Sequence, residues 1–252
     1  MASADEPSRP ECEGVHDLWS PLPDACLEPI DTDRPHQTDT PHTVPAGHMQ
    51  FESAPVSAAL GGTLGAPPGE RGAHVVFFEN SYKFGLVSHV DLQLIFKHAE
   101  YSVPREKLLA PGPLNVRMKL NIVEERGWVP ALTLVPTVFL PMDPAHALRG
   151  GLIVFGGWEL PLHFELEANA GTLVSARPKP LVVPVIASAL THPVVGPLRA
   201  FVDVYATGPD VALGTGLLLA VGRDVQLDAG TYVGLHGDVS VATPFMGLSV
   251  RR

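Results

Sequence analysis

The sequence is short of several features that usually decide between classes of protein. Only 2 of its 252 residues are cysteine, aromatic residues make up 7%, and charged residues make up 17%, below the roughly 25% of ordinary soluble domains. No stretch reaches the roughly 18 consecutive apolar residues of a transmembrane helix, so none is predicted. The length allows one large domain or two smaller ones, either of which can bury a core.

Positive charge is also scarce. Lys and Arg total 17 against 27 Asp and Glu, which gives a formal net charge of -10. Binding to phosphate backbones needs a basic face, so we expect no nucleic-acid partner. The start, MASADEPSRPECEG, has neither the basic region nor the apolar region of a signal peptide. Either the chain is cytosolic, or a signal peptide has been removed and Met1 added; we favour the second interpretation.

The two cysteines, Cys12 and Cys26, both lie near the N-terminus and lack the CxxC spacing of zinc or redox motifs. A disulfide between them would contribute about 3 kcal/mol by the chain-entropy estimate for a loop of roughly 15 residues. It would need an oxidising compartment such as the periplasm. We predict this disulfide; the alternative is two unpaired thiols in an irregular tail.

The chain divides into two parts of different composition. Residues 1–45 are rich in Pro, Asp, Glu, His and Thr without periodicity, so we predict an irregular N-terminal segment. From His48 onward, polar and apolar residues alternate between turns, and 46–252 is predicted to be an all-β barrel. Histidines at 36, 42 and 48 recur every six residues, but this spacing gives no common face. We therefore expect neither a metal site nor a cofactor.

Strand candidates and their connections indicate the architecture. The candidates lie near 47–58, 74–86, 89–100, 113–123, 127–140, 148–155, 158–170, 181–191, 198–207, 211–221, 224–236 and 241–251. Short connections at GLVSHVD, VEERGW, FGGW, LTHPVVGP and VGRDVQ alternate with mostly longer ones. An even number of strands with short turns at one end and longer loops at the other is typical of outer-membrane barrels.

Alternation within the strands assigns their two faces. In 115–122, one face carries Val116, Met118, Leu120 and Ile122, and the other carries Asn115, Arg117, Lys119 and Asn121. A soluble sheet would alternate in the same way. Strand lengths near the 9–11 residues that cross a bilayer favour lipid contact. The sequence therefore predicts a closed antiparallel transmembrane β-barrel of about twelve strands, with Trp158 and Phe245 as candidates for an interfacial girdle.

Inward-facing positions follow from this assignment. The predicted pore-lining residues are Lys83, Asp91, Gln93, Lys97, Arg117, Lys119, Glu165, Glu167, Asp203, Tyr205 and Asp228. Positive charge dominates on the earlier strands and negative charge on the later ones. We expect the two walls to face each other and to create a field that orients polar solutes. The alternative is that Lys97, Arg117 and Lys119 pair with Glu165, Glu167 and Asp203 and shut the lumen.

Three stretches resemble a known family. They are IDTDRPHQTDTPHTVPAGHMQFE (30–52), GLVSHVDLQL (85–94), and VQLDAGTYVGL with TPFMGLSVRR (225–252). They are similar to bacterial outer-membrane transporter proteins, also known as meta-pathway phenol-degradation proteins. The resemblance implies an outer-membrane barrel with both termini periplasmic, a role in moving small organic and often aromatic compounds, and no catalytic residues. Residues 1–45 would then form a periplasmic arm beneath the barrel or a plug within it.

These observations favour one function over two others. The leading interpretation is an outer-membrane channel or transporter for small solutes, which is not an enzyme and has a lipid bilayer and a small-molecule solute as partners. The first alternative is a soluble or periplasmic β-barrel that binds a small ligand inside. The second is a structural barrel with a sealed lumen.

Overall fold

The structure, a computed structural model, describes residues 12–35, 37–63, 73–103, 107–109, 112–142, 147–176 and 181–252. The strands are β1 (Met49–Thr63), β2 (Ala73–Val87), β3 (Val90–Val103), β4 (Lys107–Leu109), β5 (Leu114–Val123), β6 (Ala131–Leu140), β7 (Arg149–Leu160), β8 (Phe164–Ser175), β9 (Leu181–Val195), β10 (Leu198–Thr207), β11 (Asp210–Ala220), β12 (Val225–His236) and β13 (Ser240–Arg251). Among the described residues, no helix is long and apolar enough to cross a membrane.

Every strand except β4 belongs to one closed antiparallel ring. Each of these twelve strands pairs with the one before and the one after it in the chain, and β3 pairs directly with β5. The short β4 pairs only with β3. The ring closes because β1 pairs with β2 on one side and with β13 on the other, where Gln50 lies opposite Arg251. A closed ring leaves no unpaired edge. The predicted fold, a closed antiparallel barrel of about twelve strands, is confirmed.

One predicted turn is wrong. Residues 156–158 (GGW) lie inside β7, where Gly157 pairs with Glu167 of β8, and the connection is instead the 3₁₀ turn Pro161–His163. Two adjacent glycines suggested a turn because they tolerate positive φ. Here they make space, since a Cβ on Gly157 would lie 2.7 Å from Cγ of Pro41. Leu162, at φ 65°, makes the reversal without glycine.

The outer surface of the barrel is apolar and the inside is polar. Exposed apolar residues include Met118, Ile122, Val202, Val204, Leu213, Leu217, Leu227 and Val233. Residues between them on the same strands, such as Lys119, Asp203 and Asp228, are buried. A soluble sheet buries its apolar face, so this arrangement is the reverse of a soluble core. It matches a barrel whose outer surface contacts hydrocarbon.

A small aromatic cluster lies inside the barrel. It consists of Phe201, Leu218, Tyr232 and Phe245, with Tyr205 packed against it. Its rings lie over glycines on neighbouring strands: Phe245 is paired with Gly230, and a Cβ there would lie 2.7 Å from the Phe245 ring. Larger residues would displace the rings. The girdle role predicted for Phe245 is therefore wrong, because its side chain is buried inside the ring.

Candidate functional site

Residues 31–44, which we call the N-terminal plug segment, make contacts around the interior of the ring. They contact Lys83 on β2, Lys119 on β5, Thr133 on β6, Asp203 on β10 and Gln226 on β12. These strands lie on opposite sides of the ring, so a segment that touches all of them lies within it.

Both ends of the plug segment leave at the short-turn end of the barrel. The N–H of Ile30 donates to the carbonyl of Arg223 in the β11–β12 turn at 2.7 Å. After the segment, the N–H of Gly47 donates to the carbonyl of Gly85 near the end of β2 at 2.9 Å. The segment therefore enters the barrel, reverses and returns to the same end before β1 begins.

Asp33 of the plug segment bonds side chains of three strands, β2, β3 and β5. Its carboxylate accepts hydrogen bonds from Lys119 at 2.5 Å and Lys83 at 2.6 Å, and from Gln93 at 3.2 Å. Lys83 also bonds Glu52 at 2.5 Å. Burial opposes ionisation of Asp33, but the charges of Lys119, Lys83 and Arg117 outweigh it and hold its pKa well below the usual range. The plug segment thus neutralises the positive wall.

A second ion pair joins the plug segment to β5. Arg117 donates to Asp39 at 2.7 Å, and both side chains are largely buried. Lys119 further donates to the carbonyls of Thr40 and His42 at 2.8 and 3.1 Å. The strand therefore holds the returning limb of the segment through both side-chain and main-chain atoms.

The negative wall is met by donors from the same segment. The main-chain N–H of Gln37 donates to Asp203 at 2.9 Å. Arg34 pairs with Asp228 at 3.1 Å and lies over the Phe245 ring at 5.9 Å. One oxygen of each carboxylate, on β10 and on β12, is thus bonded by the plug segment, through a main-chain amide and an arginine respectively.

Pairing directly across the interior, the alternative considered from the sequence, is wrong. Lys97 lies 3.7 Å from Glu79 of the neighbouring strand, and Glu165 bonds Arg199. The partners of Arg117 and Lys119 come from the plug segment, as described above. Strand alternation could not reveal these pairs, because Asp33 and Asp39 lie in a stretch without periodicity.

The residues predicted to line a pore fall into groups by their contacts. Those that contact the plug segment are Lys83, Asp91, Gln93, Arg117, Lys119, Asp203 and Asp228. Of the others, Lys97 lies near Glu79, Glu165 bonds Arg199, and Tyr205 packs against the aromatic cluster. Glu167 lies half-buried on β8. That solutes pass along these residues stays a prediction. Glu52 and Thr133 also contact the plug segment but are not among the predicted residues. Thr133 lies between Leu132 and Leu134, an alternation that could have indicated its inward position.

A cavity of about 380 Å³ lies beyond the reversal of the plug segment. Its floor is formed by Arg34, Pro35 and Gln37. One wall carries the aromatic side chains Tyr205, Tyr232 and Phe245, and the opposite side carries His74, Glu79 and Lys97. His74 is the second residue of β2 and Ser240 is the first of β13, and both strands start at the long-loop end, so the cavity occupies that half of the barrel.

The segment that precedes the plug is fixed to the short-turn end. The predicted disulfide forms between Cys12 and Cys26. Arg251, at the end of β13, donates to the carbonyl of Glu28 at 2.5 Å and to Asp224 at 2.6 Å. These bonds hold residues 24–30 beside the seam where β1 meets β13.

The histidines at 36, 42 and 48 do not form a described cluster. His36 lies outside the described residues. His48 contacts the carbonyl of Leu22 through Nε2 at 2.8 Å. Within the described part of the chain, no group of three or more residues could hold a metal ion.

Comparison with known proteins supports the fold. No protein-family model and no curated protein matches the chain. The crystal structure of an outer membrane channel from Pseudomonas putida F1 is similar over 81% of this chain and 94% of that chain, with TM-score 0.56 and 10% identity. A mutant porin of Rhodopseudomonas blastica aligns over 81% of this chain and 99% of that chain at 8% identity, but its TM-score of 0.29 is too low to indicate a common fold. The chain therefore has the fold of an outer-membrane channel.

Proposed function

We propose that this protein is an outer-membrane channel for small solutes, closed at rest by the plug segment. The observation that carries the proposal is the reversal of polarity: apolar side chains cover the outside while buried ion pairs fill the inside. The apolar outer surface is suited to contact with lipid, and the polar inner surface is suited to contact with water or a polar solute. The chain ends at the short-turn side, which is periplasmic in such barrels.

The contacts of the plug segment are of a kind that allows the segment to move out of the lumen. They are ion pairs and hydrogen bonds to charged walls rather than an apolar core. Desolvation offsets much of the attraction within buried ion pairs, so their net contribution to stability is small. Water that enters the lumen can take over these bonds when the segment leaves. Gating then needs less free energy than the number of contacts suggests.

The cavity beyond the plug segment suits small aromatic or other organic compounds. Tyr232 and Phe245 stack with centroids 5.1 Å apart and present a flat apolar wall. Stacking on such rings contributes about 0.5–1.5 kcal/mol beyond the burial of area. The polar groups of Glu79 and Lys97 opposite this wall can bind a solute's hydroxyl or acid group.

A sealed structural barrel is the second candidate. It is favoured by the complete burial of the cluster formed by Asp33, Lys83, Glu52 and Lys119. If these bonds never open, the barrel contributes rigidity to the membrane and passes no solute.

Solute flux into phospholipid vesicles tests both candidates. We expect slow flux of small phenols and sugars through the native protein and faster flux through Asp33→Asn, because this change leaves Lys119 without its carboxylate partner and Lys83 with Glu52 alone. Asp24→Asn is the matched control, since Asp24 is exposed at the short-turn end, and we expect native flux from it. Absence of flux in all three proteins would favour the sealed barrel.

A further inference from the structure

Exposed apolar side chains cluster at the short-turn end of the barrel. They are Val15, Leu18, Trp19, Trp128 and Val129, which we call the tryptophan patch. Trp19 is 88% exposed, Trp128 is 85% exposed and Val15 is 80% exposed. Trp19 belongs to the loop closed by the Cys12–Cys26 disulfide, outside the barrel strands, and the barrel itself gives it no cover.

The disulfide loop continues the barrel wall. Pairing of β1 with β2 begins with Met49 opposite Phe84. Further along β2, Asp17 forms a bridge with Val87. His16 and Ser88 exchange main-chain and side-chain hydrogen bonds of 2.9 Å. The loop therefore lies at the rim, in line with the wall, and its outer side continues the outer surface.

A tight turn presents Trp19 at its tip. Oδ1 of Asp17 accepts hydrogen bonds from the N–H groups of Trp19 and Ser20, both at 2.8 Å. The N–H of Asp17 donates to the carbonyl of Ser20 at 3.0 Å. Pro21 then packs so closely on Gly47 that a side chain there would collide with it. The exposure of Trp19 is thus fixed by local bonds.

Trp128 has a matching position on the adjacent turn. Arg126 and Val129 exchange main-chain hydrogen bonds of 3.0 and 3.1 Å, which places Gly127 and Trp128 at the tip of a hairpin. The N–H of Asn121 donates to the carbonyl of His89 at 2.9 Å, and this bond joins the end of β5 to the β2–β3 turn. The two tryptophans therefore flank the β2–β3 turn at the same end of the barrel.

We propose that the Cys12–Cys26 loop anchors the protein in the phospholipid interface through Trp19, supported by Val15 and Leu18. The patch is continuous with the apolar outer surface, since the exposed Ile122 lies on β5 just before the hairpin of Trp128. Indole rings prefer the headgroup level, where the ring is apolar and the N–H is hydrated. This inference rests on the proposed bilayer location.

The charges of the Cys12–Cys26 loop indicate which lipid headgroups it can contact. Residues 12–26 contain Glu13, Asp17 and Asp24 but no lysine or arginine. Attraction to anionic headgroups therefore makes no contribution, and burial of the apolar side chains drives the contact. Zwitterionic phosphatidylcholine is the matching surface.

Tryptophan fluorescence in brominated vesicles tests the anchor. The chain has 3 tryptophans, so two single-tryptophan proteins are needed. The pair Trp128→Phe and Trp158→Phe leaves Trp19, and the pair Trp19→Phe and Trp158→Phe leaves Trp128. Both are refolded in phosphatidylcholine with bromine on the acyl carbons nearest the headgroup. Altered gel mobility of unboiled samples establishes that each barrel has formed.

We expect blue-shifted emission from both proteins and loss of that emission in brominated lipid. The anchor is overturned if Trp128 is quenched but Trp19 is not, and if Trp19 keeps the emission maximum of an indole in water. The channel proposal would survive that result. If neither tryptophan is quenched although the barrel has formed, the bilayer location fails as well as the anchor.

Discussion

Nζ of Lys119 lies 2.5 Å from Oδ1 of Asp33, and this ion pair joins β5 to a segment 86 residues earlier in the chain. Both side chains are almost completely buried. Each charge would be costly without the other, because the surrounding barrel keeps water away. The pair therefore makes the position of the plug segment and the charge of the wall depend on each other.

Removal of the Asp33 charge should destabilise the barrel. In Asp33→Asn, Lys119 and Lys83 lose a shared buried partner, and breaking such a pair costs about 3–5 kcal/mol. The double variant with Lys119→Met should recover part of the loss, since the unpaired charge of Lys119 is removed and Lys83 keeps Glu52 as its partner. Urea unfolding in detergent, followed by gel mobility, measures the differences. Asp24→Asn should unfold like the native protein, and an equal loss in Asp24→Asn would contradict the account.

The pair formed by Arg117 and Asp39 should show energetic coupling. We expect Arg117→Gln and Asp39→Asn each to destabilise closure, and the double variant to cost less than their sum, with a coupling energy of about 1–3 kcal/mol. Open probability in planar bilayers supplies the four free energies of the cycle. Additive effects would mean that the two residues do not contact each other in the membrane.

Closure should persist in mild acid. The pKa of Asp33 is held below its unfolded value by Lys119, Lys83 and Arg117, despite burial, which acts in the other direction. Ionised Asp33 therefore contributes stability that is present above the unfolded pKa of about 4 and is lost only as the pH falls through the lower folded value. Conductance should stay low between pH 7 and roughly 4.5. A rise near pH 5 would show that another group controls closure.

Reduction of the Cys12–Cys26 disulfide should affect the rim more than the plug. The unfolded chain gains freedom worth about 3 kcal/mol for a loop of roughly 15 residues. Contacts of Arg251 with Glu28 and of Ile30 with Arg223 still hold the entry to the plug segment. Cys12→Ser combined with Cys26→Ser should thus lower stability while conductance stays native. Increased conductance would show that the disulfide itself restrains the plug segment.

The alternation of polar and apolar residues along the strands is enough to predict most of the fold. Lipid on one side and polar contacts on the other force the period of two, as in Met118 and Lys119, and turns bound each strand. The turn predicted at Gly156 and Gly157 is wrong, because glycine also occurs where a neighbouring segment approaches too closely for a side chain. The position of Phe245 near a strand end predicts an outward ring, because aromatic residues there often face the interface, but the ring lies inside the barrel over Gly230.

The position of the plug segment could not be predicted from the sequence. Its contacts depend on Asp33, Asp39 and main-chain amides that meet distant strands, and no local period encodes such pairs. The excess of acidic residues in the segment over basic ones was the available signal. It matches the lysines and the arginine of β2 and β5, but composition does not fix a location.

An engineered disulfide between residues 41 and 157 tests most directly whether the plug segment closes the lumen. A Cβ on Gly157 would lie 3.9 Å from Cβ of Pro41, within the range that a disulfide spans. We expect the variant with Pro41→Cys and Gly157→Cys to crosslink on oxidation and to lose its residual single-channel current, which a reductant should restore. Each single substitution should show no such response. Free thiols at both positions in a correctly formed barrel, or a crosslinked barrel with undiminished current, would contradict the account.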